Sequence, residues 1–498
     1  MDNFPLSELD QLIANENLES WRPPAQRKRI VFARRAAYLL RKKRKLKIPS
    51  SKRKRKKRSV LGYNAHVKRN ARRLIVAAKR DIQNTNYENA PLGTLIAGKQ
   101  PSIFLDGLYP QRETKWLPVA SRLRTRVHEE IDVNNFCFLS NPVETLNNLE
   151  RIARVEATCL SSRINFLDKQ CKDIGPWLVF AVMRNHMARV FNGGAISSSM
   201  SKVISALGLQ KALQFSLEPN LDGHADVWAF PLRARRPAGT STSETQHLDP
   251  QAAEKVGGDL CGAISQWLSE CVGQELTRQG QRRVKKIVGE SLDNAERHSR
   301  REHTNDGDWM LTGFMAKRKG PNGPLFKCQL SFLSIGSSIS ETIQDAPEET
   351  LQLMDEYIAD HAPSLPNHHF AADHLRTIFA LQDTVTRDRN AFEQGRGGTG
   401  FRDIVCLFGD LAGNETGEND ARLAIVSGRT CLHIGFTHSE AATPLPNQRF
   451  NIWLNETNDR GLPPDHNAVL ELEKAFCGTL ITMGFTLDPD YLEKSIDG

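Results

Sequence analysis

The sequence predicts an α/β protein, and three observations lead to this fold class. Between residues 131 and 235, short apolar segments of strand length alternate with longer amphipathic segments. Strands that alternate with helices are typical of a sheet with helices packed on it. A second series, two helices followed by a hairpin, begins near residue 251. The charge distribution then sets a basic N-terminal arm apart from both series.

The basic arm spans residues 21–80, which contain 25 Lys and Arg residues and no Asp or Glu. Because the whole chain has a net charge of +9, the other 438 residues carry −16. Blocks of like charge repel themselves and stay extended until a polyanion neutralises them. We expect the arm to bind nucleic acid through counterion release. The densest positions are Arg41, Lys42, Lys43, Arg44, Lys45, Lys52, Arg53, Lys54, Arg55, Lys56, Lys57 and Arg58.

Other partners for such an arm are an anionic membrane surface or an acidic protein, and a solubilising tail is a further alternative. No apolar run has the length needed to span a bilayer, and the N-terminus lacks the apolar region of a signal peptide. We therefore expect a cytoplasmic protein without a membrane partner. The nine cysteines include no Cys-x-x-Cys pair, which favours reduced, buried thiols.

The first α/β series predicts strands at 135–141, 162–168 and 226–234, with helices at 142–153, 177–191 and 199–213. This pattern resembles a STAS domain, the fold of anti-anti-sigma factors, with Asp173-Ile174-Gly175 at the family's strand-to-helix turn. Ile174 has no hydroxyl to accept a phosphoryl group, so we expect this domain to bind or scaffold. Asp168 and Asp173 are interpreted as turn and helix-cap residues rather than as a metal pair.

The most informative stretch is residues 287–299. Helical spacing places Glu290, Asn294, Arg297 and His298 on one face, and leaves Ile287, Val288, Leu292 and Ala295 to pack on a sheet. An Asn oxygen is a neutral ligand for Mg²⁺, a Glu one turn earlier orients or deprotonates a water, and Arg binds phosphate oxygens. The alternative is an ordinary solvated helix face.

A glycine-rich segment follows about a hundred residues later and reads Gly395-Arg396-Gly397-Gly398-Thr399-Gly400. Glycine lets backbone N–H groups approach phosphates closely, and the N-terminus of the following helix favours anions. The two stretches resemble the N-box and G-box of the GHKL ATP-binding fold. That family includes histidine kinases, anti-sigma-factor kinases, gyrase-type ATPases and heat-shock ATPase chaperones, and the resemblance covers residues 251–440.

The resemblance implies a site for ATP and Mg²⁺. Glu290 would be the general base or the group that orients water, and Asn294 would be the Mg²⁺ ligand. Asp293, Arg297 and His298 would lie at the nucleotide, and the amides from Gly395 to Gly400 would hold its phosphates. The chain has no Gly-x-x-x-x-Gly-Lys-Ser/Thr loop, so a P-loop NTPase is not supported.

One part of the family pattern is altered. Ser334-Ile335-Gly336 stands where the family has an Asp-x-Gly box, whose carboxylate accepts the adenine amino proton. Ser334 would bind adenine more weakly, through water, or with altered base selectivity. Gly336 keeps the position of close approach. The strands before this box are predicted at 308–318 and 325–336, and a further hairpin is predicted to turn at 427–429.

Residues 337–394 form a long insertion where the family has its ATP lid, with helices predicted at 347–361 and 371–390. Such a lid closes over a nucleotide and transmits its state to a partner, and the equal alternative is that these helices pack beside the core. His361, His368, His369 and His374 lack the spacing of a metal site.

These interpretations divide the chain into a basic, partly disordered region (1–125), a STAS-like domain (126–236), a linker (237–250), a GHKL-like domain (251–440) and a C-terminal extension (441–498). The predicted function is a Mg²⁺-dependent ATP-binding switch with slow hydrolysis, gated by nucleic acid, another protein or a second copy of the chain. It would suit a bacterial regulatory or anti-phage defence subunit. The alternatives are an anti-sigma-type protein kinase and a non-enzymatic, degenerate nucleotide-binding fold that serves as an interaction module.

Overall fold

The computed structural model describes residues 102–114, 128–158, 161–187, 191–215, 217, 226–235, 250–251, 253–298, 308–319, 323–362, 370–383, 385–386, 393, 399–412, 421–442 and 450–487. The basic positions predicted to bind nucleic acid, 41–45 and 52–58, lie outside these residues, as does the predicted linker apart from its last residue. Within the described ranges, no helix has both the length and the apolar character that crossing a membrane requires.

The described helices are α1 (Ile103–Leu108), α2 (Gln111–Thr114), α3 (Pro142–Thr158), α4 (Gly175–His186), α5 (Ser198–Ala206), α6 (Leu209–Ala212), α7 (Ala253–Val272), α8 (Arg278–His298), α9 (Ile339–Thr342), α10 (Glu348–His361), α11 (Ala372–Phe379), α12 (Thr399–Ala412) and α13 (Phe436–Ala442). The strands are β1 (His128–Val133), β2 (Ser161–Phe166), β3 (Phe191–Ala195), β4 (Val227–Arg235), β5 (Pro250–Gln251), β6 (Trp309–Lys319), β7 (Pro324–Ser334), β8 (Arg422–Gly435) and β9 (Val469–Leu487). The chain is therefore mixed α/β, as the sequence predicts.

The chain divides into two compact units. The first lies within 1–134, 147–167 and 183–196, and the second within 135–146, 168–182 and 197–498. The first unit contains a three-stranded parallel sheet in the order β1-β2-β3. The predicted domain 126–236 is thus shared between the units. The predicted strand at 162–168 is confirmed as β2, whereas β3 falls at the end of the helix predicted over 177–191.

Glycine explains why β3 was missed. Its sequence, Phe-Asn-Gly-Gly-Ala, has low strand propensity, yet a Cβ added at Gly194 would lie 1.7 Å from the Ile164 carbonyl oxygen. The register between β2 and β3 also shifts at this point. Only glycine permits this approach of the two backbones.

A buried ion pair holds the first unit together around Arg112. Its Nε lies 2.8 Å from Oε2 of Glu156 on α3, and its Nη1 lies 2.6 Å from Oδ1 of Asp106 on α1. The side chains of Arg112 and Glu156 are fully buried. Removing one member of such a pair is costly, because the remaining charge has no water to solvate it. Arg112 belongs to the region 1–125, which the sequence predicted only to be basic and partly disordered.

The second unit is built on a six-stranded sheet in the order β5-β4-β6-β7-β9-β8. Its neighbours from β4 to β8 are antiparallel, and the two-residue β5 pairs in parallel with β4 at the edge. The hairpin of β6 and β7 is confirmed. The strand predicted at 226–234 is observed as β4, but it pairs with β6 of the second unit instead of joining the other strands of the first α/β series. Apolar alternation identifies a strand but does not select its partner.

Two further predictions about this sheet are corrected. Residues 422–435 form one continuous strand, β8, instead of a hairpin turning at 427–429. The register shifts on both sides of Gly428, so this glycine marks a β-bulge, which a sequence pattern does not distinguish from a turn. Residues 469–487, within the predicted C-terminal extension, form β9, which lies between β7 and β8.

Two long helices cover one face of this sheet. α7 and α8 both occur where the sequence predicts helices, and Thr277 accepts a hydrogen bond from the amide of Gly280 at the start of α8. The apolar residues predicted to face a sheet, Ile287, Val288, Leu292 and Ala295, are all buried in the core of the second unit. This core also includes residues of α10 and α11 from the insertion, among them Tyr357 and Leu375. The predicted second insertion helix is shorter than expected and ends at Phe379.

The opposite face of the sheet buries a carboxylate. Asp173 accepts hydrogen bonds from the amides of Phe138 (2.7 Å) and Gly175 (2.8 Å) and from the hydroxyl of Thr482 (2.6 Å). Thr482 lies 2.6 Å from the hydroxyl of Ser331 across the β7–β9 pair. Asp173 thereby caps the start of α4, as the turn-and-cap interpretation predicts.

The carboxylates of Asp168 and Asp173 explain why residues 135–141 do not form the strand that the sequence predicts. Asp168 accepts the amides of Asn135 and Phe136, and Asp173 accepts that of Phe138. Side chains therefore supply the hydrogen bonds that a neighbouring strand would otherwise give to a buried apolar segment. Phe136, Cys137 and Phe138 are buried in this loop.

We expect Asp173→Asn to destabilise the second unit by about 1–3 kcal/mol, because one amide donor loses its acceptor in a buried place. Burial raises the pKa of Asp173 above the ordinary 3.8, although the hydrogen bonds from Thr482, Gly175 and Phe138 oppose the shift. The folded protein then binds this proton more tightly than the unfolded chain, so stability falls as the pH rises through the raised pKa. Asp173→Asn should lack this component.

Urea unfolding at a series of pH values above 3.8 measures both effects. Asp168→Asn is the matched control, since Asp168 also accepts two amides but is half-exposed and water can replace it. Equal losses in the two variants, or an identical pH dependence in Asp173→Asn and wild type, would contradict the role of burial.

Candidate functional site

Helix α8 carries the first predicted motif to one side of the sheet. Asn294 is exposed and lines a cavity together with Ser291 and Ala295 of the same helix. Glu290 is half-buried and lies one turn earlier. The backbones of Asp293, Arg297 and His298 belong to α8, but their side chains lie outside the description.

The cavity has a volume of about 190 Å³. The sheet contributes Phe332 and Ser334 from β7 and Thr479 and Ile481 from β9. Helix α12 contributes Gly400, Phe401 and Ile404, and the insertion contributes Ser337, Ile339, Thr342, Ile343, Ala380, Val385 and Thr386. The structure therefore brings together Asn294, Ser334 and Gly400, one residue from each of the three motifs that the sequence singled out.

A row of hydroxyl groups crosses three strands, and two of its members, Ser334 and Thr479, line the cavity. Ser334 of β7 pairs with Thr479 of β9, and Thr479 pairs with Ser427 of β8. The hydroxyls of Ser427 and Thr479 lie 2.9 Å apart. Ser427 also donates to the Gly478 carbonyl (3.0 Å) and accepts the amide of Ile339 (2.8 Å), the first residue of α9.

The start of α12 lies against Asn294. A Cβ added at Gly400 would lie 3.0 Å from Nδ2 of Asn294, a tight contact from which the amide would have to move by a few tenths of an ångström. Gly400 thus leaves room for the amide that the resemblance makes a Mg²⁺ ligand. The other predicted phosphate-binding positions, Gly395, Arg396, Gly397 and Gly398, lie outside the described residues, as does the side chain of Thr399.

Charged groups surround α8 and α12 instead of lining the cavity. Lys286 Nζ lies 3.0 Å from Oδ2 of Asp403 on α12 and 3.5 Å from Oε1 of Glu290. The hydrogen bond to Asp403 raises the pKa of Lys286 above its usual value, against the opposing effect of burial, and Glu290 adds to the rise. Arg283 forms a second ion pair between the helices, with Asp410. These partly exposed pairs link α8 to α12, and Glu290 is engaged with a cation.

The Asp-x-Gly position is also resolved. Ser334 is the last residue of β7 and is half-buried, and Gly336 follows in a bend with φ of +140°. Ser338 then begins α9 with a reciprocal capping box, in which its hydroxyl accepts the Glu341 amide and the Glu341 carboxylate accepts the Ser338 amide. The insertion 337–394 therefore begins at the cavity, and its first helix has a satisfied N-terminus.

The histidines of the insertion do not form a metal site in the described part of the chain. His361 contacts the Arg460 carbonyl (2.8 Å), and Nδ1 of His374 accepts the amide of Ala371 (3.3 Å). Burial lowers the pKa of His374. Among the residues that the structure describes, no three His, Cys, Asp or Glu side chains are grouped so that they would hold a metal ion. His368 and His369 are not described.

Sequence reasoning missed Thr479 and Ser427. Both lie in apolar strands, but only the pairing of β9 with β7 and of β8 with β9 reveals their place beside the site. The signal available in the sequence was Cys-Gly-Thr inside a long apolar strand, since a glycine in a strand interior often marks a bulge or a close approach. Gly478 has φ of +102°.

No protein-family model, curated protein or solved structure matches the chain.

We expect Gly289→Ala and Gly400→Ala to differ in thermal stability. At Gly289 in α8, an added Cβ would meet no atom within 4 Å, so the variant should gain about 0.5–1 kcal/mol from helix propensity. At Gly400 the Asn294 amide must move, which offsets that gain. Thermal unfolding compares the two variants, and an equal rise in both would show that the contact between Gly400 and Asn294 carries no strain.

Proposed function

We propose that the second unit is a nucleotide-binding switch that binds ATP with Mg²⁺ and hydrolyses it slowly. The observation that carries this proposal is the convergence of Asn294, Ser334 and Gly400 on one cavity. These residues are separated by 40 and 66 positions in the chain, and their grouping was expected from the resemblance to the GHKL fold. That agreement supports the proposal, while the family itself stays a prediction.

The cavity suits the base of a nucleotide. Its 190 Å³ is less than the roughly 300–1,000 Å³ of pockets that enclose a whole drug-sized ligand. One flat ring system would fill it, between the apolar side chains of Phe332, Ile404 and Ile481. The rest of the ligand would extend past Asn294 and Gly400 toward the glycine-rich segment.

The residues at this exit suit Mg²⁺ bound to phosphate. Mg²⁺ keeps several waters and takes only one or two protein ligands when phosphates supply the others. The Asn294 side chain is exposed at the cavity and would supply one oxygen. Gly400 keeps space beside it. When bound, the ion would neutralise charge on the phosphates and orient them.

Glu290 would orient the attacking water or accept its proton. Its carboxylate lies 3.5 Å from Lys286 Nζ, and Lys286 also contacts Asp403 at the start of α12. Glu290 would therefore act from a charged cluster at the cavity's edge. Because the insertion lines the cavity, the bound nucleotide would favour one arrangement of this wall, and a partner that contacts it would sense that state.

One observation favours a second candidate function, a nucleotide-binding module without hydrolysis. Glu290 does not line the described cavity and is held by Lys286. The substitution of Ser334 for the family's carboxylate points in the same direction. Such a module would still switch its conformation on binding, but it would not release phosphate.

The nucleic-acid partner stays a proposal that the charge of residues 21–80 supports. The arm would bind the protein to a polyanion, and the conformation of the second unit would depend on whether a nucleotide is bound. A bacterial regulatory or defence role would use such a combination.

We expect Glu290→Ala to keep Mg²⁺-dependent ATP binding but to lose hydrolysis by about 10²–10⁴-fold, since that is the usual contribution of a general base. Asn294→Ala should weaken both binding and hydrolysis. Calorimetry and phosphate release on the purified full chain measure the two effects. Gln279→Ala is the control, because Gln279 is exposed near the other end of α8.

Hydrolysis unchanged in Glu290→Ala would remove this residue from the mechanism. Binding without any phosphate release by wild type would favour the non-hydrolysing module.

We expect deletion of residues 21–80 to weaken the binding of both DNA and RNA and to flatten its dependence on salt, because fewer counterions are released. Fluorescence anisotropy over a range of salt concentrations measures the slope. Replacing the seven basic residues 52–58 with Gln is the matched variant, since it keeps the length of the arm. An unchanged affinity and slope in the deletion would contradict a nucleic-acid role for the arm.

A further inference from the structure

The polar end of the cavity contains hydroxyl groups in place of a charge. None of the 17 described residues that line the cavity is charged. Ser334 and Thr479 supply the hydroxyls that lie side by side on paired strands. The selectivity of the site for a base therefore depends in part on what these two groups donate and accept, beside the other polar residues that line the cavity, Ser291, Asn294, Ser337, Thr342 and Thr386.

The proton of Thr479 is already committed. Ser427 has one hydroxyl proton, and a carbonyl cannot donate, so the contact with Gly478 requires Ser427 to donate there. The contact between Ser427 and Thr479 is then made by the Thr479 proton, while the Ile339 amide donates to the same oxygen. Every contact in this buried group is satisfied by this arrangement. Thr479 is left as an acceptor toward the cavity.

Ser334 is different, because the structure gives its hydroxyl no hydrogen bond to any described residue. This hydroxyl is free to rotate and to donate or accept. A carboxylate at the same position would only accept. The cavity thus combines Thr479, which can only accept a hydrogen bond, with Ser334, which can donate or accept one.

We propose that the cavity accepts adenine and guanine nucleotides with similar affinity. Adenine carries an amino donor at the 6-position where guanine carries a carbonyl acceptor. An adenine amino group facing Ser334 would donate to both Ser334 and Thr479. A guanine in the same orientation would accept from Ser334 through its carbonyl, and its ring N–H would donate to Thr479. Ser334 therefore pairs with the 6-substituent of either base, and the ring nitrogen of adenine beside the amino group would accept its hydrogen bond from water.

This inference rests on the proposed function, and it replaces ATP selectivity with purine selectivity. It also gives Ser427 a positioning role, since its contacts fix the direction of the Thr479 hydroxyl. The recognised class is a purine nucleotide with Mg²⁺, whichever of the two bases it carries.

The test compares the dissociation constants of ATP, GTP and UTP, each with Mg²⁺, for the full chain and for two variants of equal size. For wild type, ATP and GTP should agree within about tenfold, and UTP should bind more weakly because one ring contacts less of the apolar wall. Ser334→Asp should favour ATP over GTP by about 10–100-fold. The guanine carbonyl would then face a carboxylate, and neither group can donate a hydrogen bond to the other. Ser334→Asn, whose amide donates and accepts, should keep the two purines close.

Several outcomes would overturn the inference. Wild-type selectivity for ATP far above tenfold would refute it while leaving the proposed function intact, and so would equal selectivity in the Asp and Asn variants. Equal binding of UTP would mean that the triphosphate alone is recognised. Binding of none of the three nucleotides would instead reject the proposed function. Circular dichroism of each variant checks that it is folded.

Discussion

The position of β9 between β7 and β8 is the constraint on which the candidate site depends. Its register places Thr479 between Ser334 and Ser427, so three separate parts of the chain meet in one row of hydroxyls. Because side chains alternate along a strand, a slip of β9 by one residue would move Thr479 to the opposite face and interrupt this row. The helices and the insertion only enclose a surface that the strand pairing has already defined.

The two faces of this sheet differ in how they treat charged groups. On one face, Asp173 is buried and satisfied by two amides and the Thr482 hydroxyl, so that an acid holds together the loop at 135–141, helix α4 and the sheet. On the other face, the cavity is uncharged, and the nearby acids of α8 and α12 are paired with Lys286 and Arg283 at its edge. The charged side chains of α8 and α12 form ion pairs outside the cavity, and the cavity itself can bind a ligand only through its shape and its hydrogen bonds.

The sequence was most informative where local pattern and chemistry coincide. The apolar spacing of Ile287, Val288 and Leu292 defined α8 and its buried face, and the grouping of Asn294, Ser334 and Gly400 was expected from the resemblance. The local sequence pattern of a strand does not determine which strand it pairs with. For this reason β4 was placed with the first α/β series, and the position of Thr479 beside Ser334 was not predicted. Glycines caused the remaining errors: Gly194 concealed a strand, and Gly428 suggested a turn where there is a bulge.

The central position of β9 has a consequence for how the protein is made. Residues 469–487 leave the ribosome after every other strand that the structure describes, yet they form the middle of the pairing between β7 and β8. Until then, β7 presents an unpaired edge, a surface that invites pairing with other chains. Thr479 also arrives with this strand. A nascent chain would therefore be unable to assemble the cavity until β9 has emerged, and its ability to recognise a ligand would arise when β9 pairs with β7 and β8.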